Sequence, residues 1–183
     1  MYCMNESDVI IKPVTDSNWR DFESLFESRG APSWCWCMVW RLTKEERKER
    51  GRENRKKCMK GRIQSKVPVG ILAYTADKPV AWCSVAPRGS HRNLGGDESL
   101  GDVWSITCFF IKREFRGRNM VSTLIEAAVQ YAGDNGARYV EAYPVETDSQ
   151  SYRYMGFISS FEKAGFNFVK MAGTKRHVMI RKL

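Results

Sequence analysis

The stretch FFIKREFRGRNMVSTLIEAAVQYA, residues 109–132, decides the fold. It begins as the end of an aromatic and β-branched run, which is typical of a buried strand. Four lysines or arginines and one glycine follow, and apolar residues then recur at helical spacing at Met120, Leu124 and Ala128. The pattern predicts a strand at 103–112, a basic turn, and a helix from about 119 to 133.

The basic turn has the chemistry of an anion site. The first N–H groups of a helix lack internal partners, and the helix dipole adds partial positive charge there. Arg113, Arg116 and Arg118 flank this helix start, and Gly117 leaves room for a ligand to approach the backbone. The turn is therefore predicted to bind phosphate. The alternative is an ordinary connection with solvated arginines and Asn119 as the helix cap.

The other elements are predicted from hydrophobic period and turn residues. Their order is β-α-α-β-β-β-α-β-α-β-β. Capping signals include Thr43 with Glu46, the pattern of a capping box. The predicted ranges are a strand at 9–14, helices at about 16–30 and 43–66, a hairpin at 69–75 and 80–86, the strand and helix above, a strand to residue 145, a helix at 151–164 and a hairpin at 165–182.

This order predicts an α/β fold with one mixed, mostly antiparallel sheet and helices on both faces. The strand–helix–strand unit at 103–145 should make a central parallel pair, since a helical crossover joins parallel strands. The chain has 183 residues, of which 43% are hydrophobic. That size suits a single domain, residues 1–183, with its own core.

Composition also bears on location and metals. No apolar run approaches the roughly 20 residues that span a bilayer. The first residues, MYCMNESDVI, show no basic region followed by an apolar one, so a cytoplasmic protein without membrane association is expected. Six cysteines, at 3, 35, 37, 58, 83 and 108, and two distant histidines do not follow zinc-site spacing, so no metal is predicted.

The net charge of +9 is concentrated in one segment. Residues 44–62 contain ten Lys or Arg and four Glu, a net of +6. A nucleic-acid-binding helix is one interpretation of this segment. The other is a solvated surface helix, which is favoured by the interleaved glutamates and by the absence of interleaved aromatic residues.

The order of elements, with RGRNMV at 116–121 and FEKAGF at 161–166, resembles the GCN5-related N-acetyltransferase (GNAT) superfamily. The resemblance covers residues 9–182. The family turn reads Arg/Gln-x-x-Gly-x-Gly/Ala. Arg116 matches its first position, whereas Asn119 and Val121 stand at its Gly and Gly/Ala positions.

The resemblance implies that the protein transfers an acetyl group from acetyl-CoA to an amine by direct attack in a ternary complex. It implies that the pantetheine arm pairs with the strand at Phe109, Phe110 and Ile111. The pyrophosphate would lie on the backbone of the turn and first helical residues, which are Arg116, Gly117, Arg118, Asn119, Met120, Val121 and Ser122. The acceptor amine and the oligomeric state, including a homodimer, are left open.

Glu141 is the predicted general base. It lies in the middle of a predicted central strand, where a carboxylate is costly unless it is paired or hydrated. Some members of the resembled family use a glutamate on this strand as the base. The alternative for Glu141 is a structural ion pair, with Arg138 or Arg153 as candidate partners.

The general acid is not identified. Many relatives have a tyrosine where this chain has Phe161, and phenylalanine cannot donate a proton. Tyr152 and Tyr154 are the nearby alternatives. A chain that binds CoA without catalysis would also account for Phe161.

The segment PSWCWCMVWR, residues 32–41, has two interpretations. Three tryptophans in a connector between helices predict a lid over the acceptor site, where cation–π contacts would hold an amine. The alternative is that the segment belongs to the core. A nucleophilic role for Cys35 or Cys37 lacks a supporting motif.

Overall fold

The computed structural model describes residues 9–183. Seven strands form one sheet in the order β1-β2-β3-β4-β5-β7-β6. All neighbouring strands are antiparallel except β4 and β5, which are parallel. The strands are β1 (Ile10–Pro13), β2 (Ile71–Thr75), β3 (Lys78–Pro87), β4 (Val103–Ile111), β5 (Tyr139–Ala142), β6 (Asn167–Ala172) and β7 (Arg176–Lys182). The predicted mixed sheet with a parallel pair is thus confirmed.

The helices are α1 (Trp19–Glu27), α2 (Arg52–Gln64), α3 (Met120–Asp134) and α4 (Ile158–Lys163). Both faces of the sheet are covered, because alternate residues of β2 enter different cores. Ile71 packs with α3 in one core, and Leu72 packs with α1 and α2 in the other. Within residues 9–183, no helix has the length and apolar character needed to cross a bilayer.

The parallel pair opens along its length. β5 pairs with β4 only from Val103 to Ile106, while β4 continues to Ile111 beside β3 alone. A β-bulge lies at the point of separation, where Ser84 faces Cys108 but Val85 faces Ile106, so that Thr107 is the extra residue. The β5-facing edge of β4 beyond residue 106 is consequently left without a strand partner.

Two predicted helices are shorter in the structure. The helix predicted at 43–66 begins only at Arg52, because Gly51 has φ of 121°, a conformation that other residues rarely adopt. The predicted capping box still forms, since Thr43 N donates to Glu46 Oε2 at 2.8 Å and Glu46 N donates to Thr43 Oγ1 at 3.2 Å. Those bonds close an isolated turn.

The second shortened helix was predicted at 151–164. A 3₁₀ turn at Arg153–Met155 and α4 replace it, and Gly156, with φ of 89°, separates them. A Cβ at Gly156 would lie 2.9 Å from the ring of Phe161, so this break also allows close packing. The break places Arg153 and Tyr154 on a separate wall, opposite β4.

Candidate active site

A groove of about 920 Å³ lies between the end of β4 and the start of α3. Its far walls come from residues 30–34 and 153–160. Nine of the ten predicted cofactor-binding residues line it, and Arg118 is the exception. The nine are Phe109, Phe110, Ile111, Arg116, Gly117, Asn119, Met120, Val121 and Ser122. The structure therefore brings the predicted strand and turn residues into one concave surface.

The turn into α3 presents backbone amides to this groove. The first hydrogen bond of the helix runs from Thr123 N to Asn119 O at 3.1 Å, so the amides at 120–122 precede any helical acceptor. Gly117 and Asn119 adopt left-handed conformations, with φ of 72° and 58°. Asparagine tolerates this region better than most residues, which explains how Asn119 occupies the position. This arrangement favours an anion at the helix start.

Arg116 ties this turn to the strand before it. Its Nε donates to the carbonyl of Ile111 at 2.9 Å. A second groove of about 660 Å³ adjoins this arginine and carries Arg29, Lys112 and Arg113 on its walls, with Glu114 as the single acidic residue. The surface next to the helix start is therefore electropositive over a length greater than one phosphate.

Glu141 is completely buried in β5 and its carboxylate is fully engaged. Arg88 binds it in a bidentate ion pair, with Nε at 3.0 Å from Oε1 and NH2 at 2.5 Å from Oε2. Ser105 Oγ and Tyr143 Oη also donate to Oε1, at 2.6 and 2.5 Å. Glu141 is not among the residues that line the groove. Its role as general base stays a prediction.

The partner of Glu141 differs from both sequence candidates. Arg138 pairs with Asp102 at 3.0 Å, and Arg153 donates to the carbonyls of Thr147 and Ser149. Arg88 comes from the loop after β3, 53 positions away in sequence. Sequence reasoning missed it because the register between β3, β4 and β5 is what carries that loop to the carboxylate.

Tyr154 is the tyrosine that reaches the groove. Burial raises the pKa of its hydroxyl to about 12, so it is protonated at neutral pH. Tyr152 does not line the groove, but its ring lies 6.4 Å from that of Tyr154. Phe161 is fully buried and packs against Phe109 at 6.1 Å. Of the tyrosines considered, Tyr154 is the one that lines the groove.

Residues 13–157 match the model of the acetyltransferase (GNAT) family. The chain belongs to the GNAT family. A search of proteins with curated functions found no match.

Solved structures share this fold at low sequence identity. PaiA N-acetyltransferase from Thermoplasma acidophilum, crystallised with coenzyme A, is 14% identical with a TM-score of 0.57, over 96% of this chain and 99% of that one. Ribosomal-protein-alanine N-acetyltransferase from Brucella melitensis is 15% identical with a TM-score of 0.58, over 95% and 99%. A mutant agmatine N-acetyltransferase is 11% identical with a TM-score of 0.60, over 96% and 100%. At these identities the likeness shows the fold alone.

The segment at 32–41 of this GNAT protein divides between the two interpretations. Trp36 is fully buried and stacks on Phe26 at 5.4 Å, which makes it core. Trp34 is 60% exposed and lines the groove, as a lid residue would. Trp40 is half-buried and packs against a third, smaller hydrophobic cluster, with its ring 6.1 Å from that of Tyr152.

The two cysteines of this segment are buried in the GNAT core. A hydrogen bond with Cys37 and burial raise the pKa of the Cys35 thiol, and burial raises that of Cys37. Cys37 also accepts a hydrogen bond from Trp82 Nε1 at 3.1 Å. Protonated thiols are poor nucleophiles, so the structure does not favour nucleophilic catalysis at either. Cys3 lies outside the described residues.

The basic helix α2 pairs part of its charge within the GNAT domain. Lys56 contacts Glu23 at 2.7 Å and Glu27 at 2.8 Å. Arg62 contacts both oxygens of Glu46, at 2.9 and 2.8 Å. This is the pattern of a packed, solvated helix, which agrees with the interpretation that competed with nucleic-acid binding.

Proposed function

We propose that the protein is an acetyl-CoA-dependent N-acetyltransferase that acts on an amine by direct attack in a ternary complex. The observation that carries this proposal is the groove itself. It combines the amides at the start of α3 with the unpaired edge of β4, in a chain of the GNAT family.

The donor would bind in two parts. Its pyrophosphate would lie on the turn at 116–119 and accept hydrogen bonds from the amides of residues 120–122, where the helix dipole favours negative charge. Its pantetheine amides would pair with the edge of β4 at 109–111, which β5 leaves unpaired. The adjoining basic groove, with Arg29, Lys112 and Arg113, suits the remaining phosphate of CoA.

The acetyl group would then lie at the opening between β4 and β5. The neutral amine attacks the thioester carbonyl carbon, and negative charge develops on the carbonyl oxygen, where backbone N–H groups at the β-bulge would stabilise it. The C–S bond breaks as the C–N bond becomes complete. The thiolate takes a proton from Tyr154, or leaves unprotonated, since a thiol has a pKa near ~8.5.

Glu141 is the proposed acceptor of the amine proton, with Tyr143 as the relay. The Tyr143 hydroxyl donates to Glu141, so a proton taken up by the hydroxyl oxygen would displace its own proton to the carboxylate. The ion pair with Arg88 opposes this by stabilising the charged carboxylate. Glu141→Gln distinguishes a base from a structural group. A base predicts lower turnover, unchanged CoA affinity and loss of the acidic limb of the pH–rate profile.

Calorimetry with acetyl-CoA tests donor binding, and thiol release detected with DTNB tests transfer to amines. Arg116→Ala should weaken CoA binding by about tenfold, because it removes a charge and loosens the turn. Arg138→Ala, at the opposite end of β5, is the matched control and should bind normally. Absence of CoA binding at micromolar concentrations would overturn the proposal.

A second candidate function is a CoA-binding protein without catalysis. Phe161 favours it, because this residue stands where many relatives carry the tyrosine acid. One variant distinguishes an acetyltransferase from a non-catalytic CoA-binding protein. If Tyr154 is the acid, Tyr154→Phe should lower turnover by about 10²-fold with CoA affinity unchanged. CoA binding without thiol release for any amine would support the non-catalytic function.

A further inference from the structure

Five side chains form a cluster beside the groove, and the proposed chemistry uses only one of them, Tyr143. We call it the aromatic–arginine cluster, and its members are Trp40, Arg92, Tyr143, Tyr152 and Arg176. The Arg92 guanidinium lies 5.1 Å from the centre of the Trp40 ring, and that of Arg176 lies 5.2 Å from it. Arg176 also lies 5.5 Å from the Tyr152 ring and 5.9 Å from that of Tyr143. Two guanidinium groups therefore share one indole.

The two guanidinium groups are not neutralised by a carboxylate. Within residues 9–183, neither Arg92 nor Arg176 makes an ion pair. Nε of Arg92 and NH1 of Arg176 are buried and have no hydrogen-bond partner. Buried donors of this kind are costly when unpaired, and like charges near one another add to the cost. An anion bound at this point would supply the missing acceptors and offset the cost.

The cluster is assembled from distant segments. Trp40 comes from the connector between α1 and α2, Arg92 from the loop between β3 and β4, and Arg176 from the start of β7. The backbone N of Arg92 donates to the Trp40 carbonyl at 2.8 Å, which fixes two of these segments together. Binding residues are often carried on loops that a rigid scaffold holds in place, as two of these three segments are.

The cluster adjoins the proposed acetyl position. Tyr143 directly follows β5, the strand that diverges from β4, and its hydroxyl contacts Glu141. Tyr152 touches Tyr154, which lines the donor groove. The cluster is thus on the β5 side of the opening, whereas the donor residues are on the β4 and α3 side. An acceptor held by the cluster could direct its amine toward the opening.

We propose that the aromatic–arginine cluster binds an oxyanion of the acceptor, so that the substrate is an amine that also carries a carboxylate or a phosphonate. This inference rests on the proposed acetyltransferase function. The guanidinium group of arginine binds a carboxylate or a phosphonate through two parallel hydrogen bonds. The aromatic rings would stack on the guanidinium groups and fix their orientation. Amines with several positive charges are poor acceptors, because they meet two unneutralised guanidinium groups.

The experiment first measures CoA binding by calorimetry, which judges the proposed function alone. It then compares acceptors that differ in one group: β-alanine with β-alaninamide, leucine with leucinamide, and glutamate with glutamine, with 2-aminoethylphosphonate and spermidine as further arms. The acid should exceed its amide in kcat/KM by about tenfold or more, as expected for a charged hydrogen-bonded pair. Equal use of acids and amides, or preference for spermidine, would overturn the inference. The phosphonate arm distinguishes the two oxyanions.

Variants separate recognition from folding. Arg92→Gln and Arg176→Gln should lower kcat/KM for the acid far more than for its amide, so that the ratio of acid to amide falls close to one. Arg138→Gln removes the same charge outside the cluster and should keep the wild-type ratio. An unchanged ratio in both cluster variants contradicts the inference. If the panel yields no acetylation, the same pairs are titrated into the CoA-bound protein, and equal affinity for acid and amide overturns it.

Discussion

Two groups of arginines near Tyr143 have different kinds of partner. Arg88 meets a fully buried carboxylate, and four hydrogen bonds engage Glu141. Arg92 and Arg176 meet aromatic rings and keep buried donors without partners. A buried charge that already has a partner stabilises the folded protein. A charge without a partner keeps donors that could bind a ligand. The comparison indicates which arginines stabilise the protein and which would recognise a substrate.

The largest effect is expected at the paired group. Arg88→Met leaves Glu141 buried without its counter-charge, and it also removes the bonds from Arg88 to the carbonyls of Asp97 and Leu100. The free energy of unfolding should fall by about 3–5 kcal/mol, measured by urea denaturation. The double variant Arg88→Met/Glu141→Met should recover part of this loss. A loss below about 1 kcal/mol would show that Glu141 is not held by this pair.

The next effect tests how closely the loop covers the paired carboxylate. A Cβ at Gly96 would clash with Glu141 Oε2 and lie 3.1 Å from Tyr143 Oη. Gly96→Ala should therefore cost about 1–3 kcal/mol of unfolding free energy, through strain and displaced hydrogen bonds. The matched control is Gly89→Ala in the same loop, where a Cβ would meet no atom within 4 Å. Equal stability of the two variants would mean that the loop does not close over Glu141.

A half-buried pair gives an intermediate case with a pH signature. Hydrogen bonds from Arg62 lower the pKa of Glu46 from 4.5 to about 2. Because the folded-state pKa is the lower one, this stabilisation is complete above pH 4.5 and is lost as the pH falls toward 2. Glu46→Gln should cost about 1 kcal/mol at pH 7 and much less near pH 2, in denaturation curves recorded at both. A cost that persists at pH 2 would point to packing instead of charge.

The smallest effect is expected at the unpaired group. Arg176→Met loses cation–π contacts but also removes a buried unpaired donor and repulsion from Arg92, while its stem keeps the packing. The unfolding free energy should change by less than about 1 kcal/mol in either direction. A loss as large as that of Arg88→Met would show that the aromatic–arginine cluster is structural, and the contrast between the two groups would disappear.

Much of the fold could be predicted because its signals are local. The α1 face of Trp19, Phe22, Leu25 and Phe26 is buried as its spacing predicts. The strand, turn and helix at 103–134 occur where the sequence places them. Gly51 marks a weak point in the helix predicted at 43–66, and the backbone angle there shows that the helix begins at 52, although composition favours helix on both sides.

The residues proposed to bind the donor could be grouped from the sequence, because they are close together along the chain. Phe109 to Ile111 and Arg116 to Ser122 lie within 14 positions of each other and meet across one turn. The partner of Glu141 and the arginines of the aromatic–arginine cluster could not be identified from the sequence. Arg88, Arg92 and Arg176 lie in loops and at a strand start, and none has a local pattern that distinguishes it from a solvated arginine.

The sequence by itself determined the order of the elements, the apolar faces and the basic turn at the start of α3, because hydrophobic period and helix-start chemistry depend on neighbours along the chain. Only the tertiary structure decided which arginine neutralises Glu141 and which arginines stay unpaired around Trp40. Ion pairing depends on distance in space, and the distances between these segments are set by strand register, by the separation of β4 from β5 and by the loops that close over them.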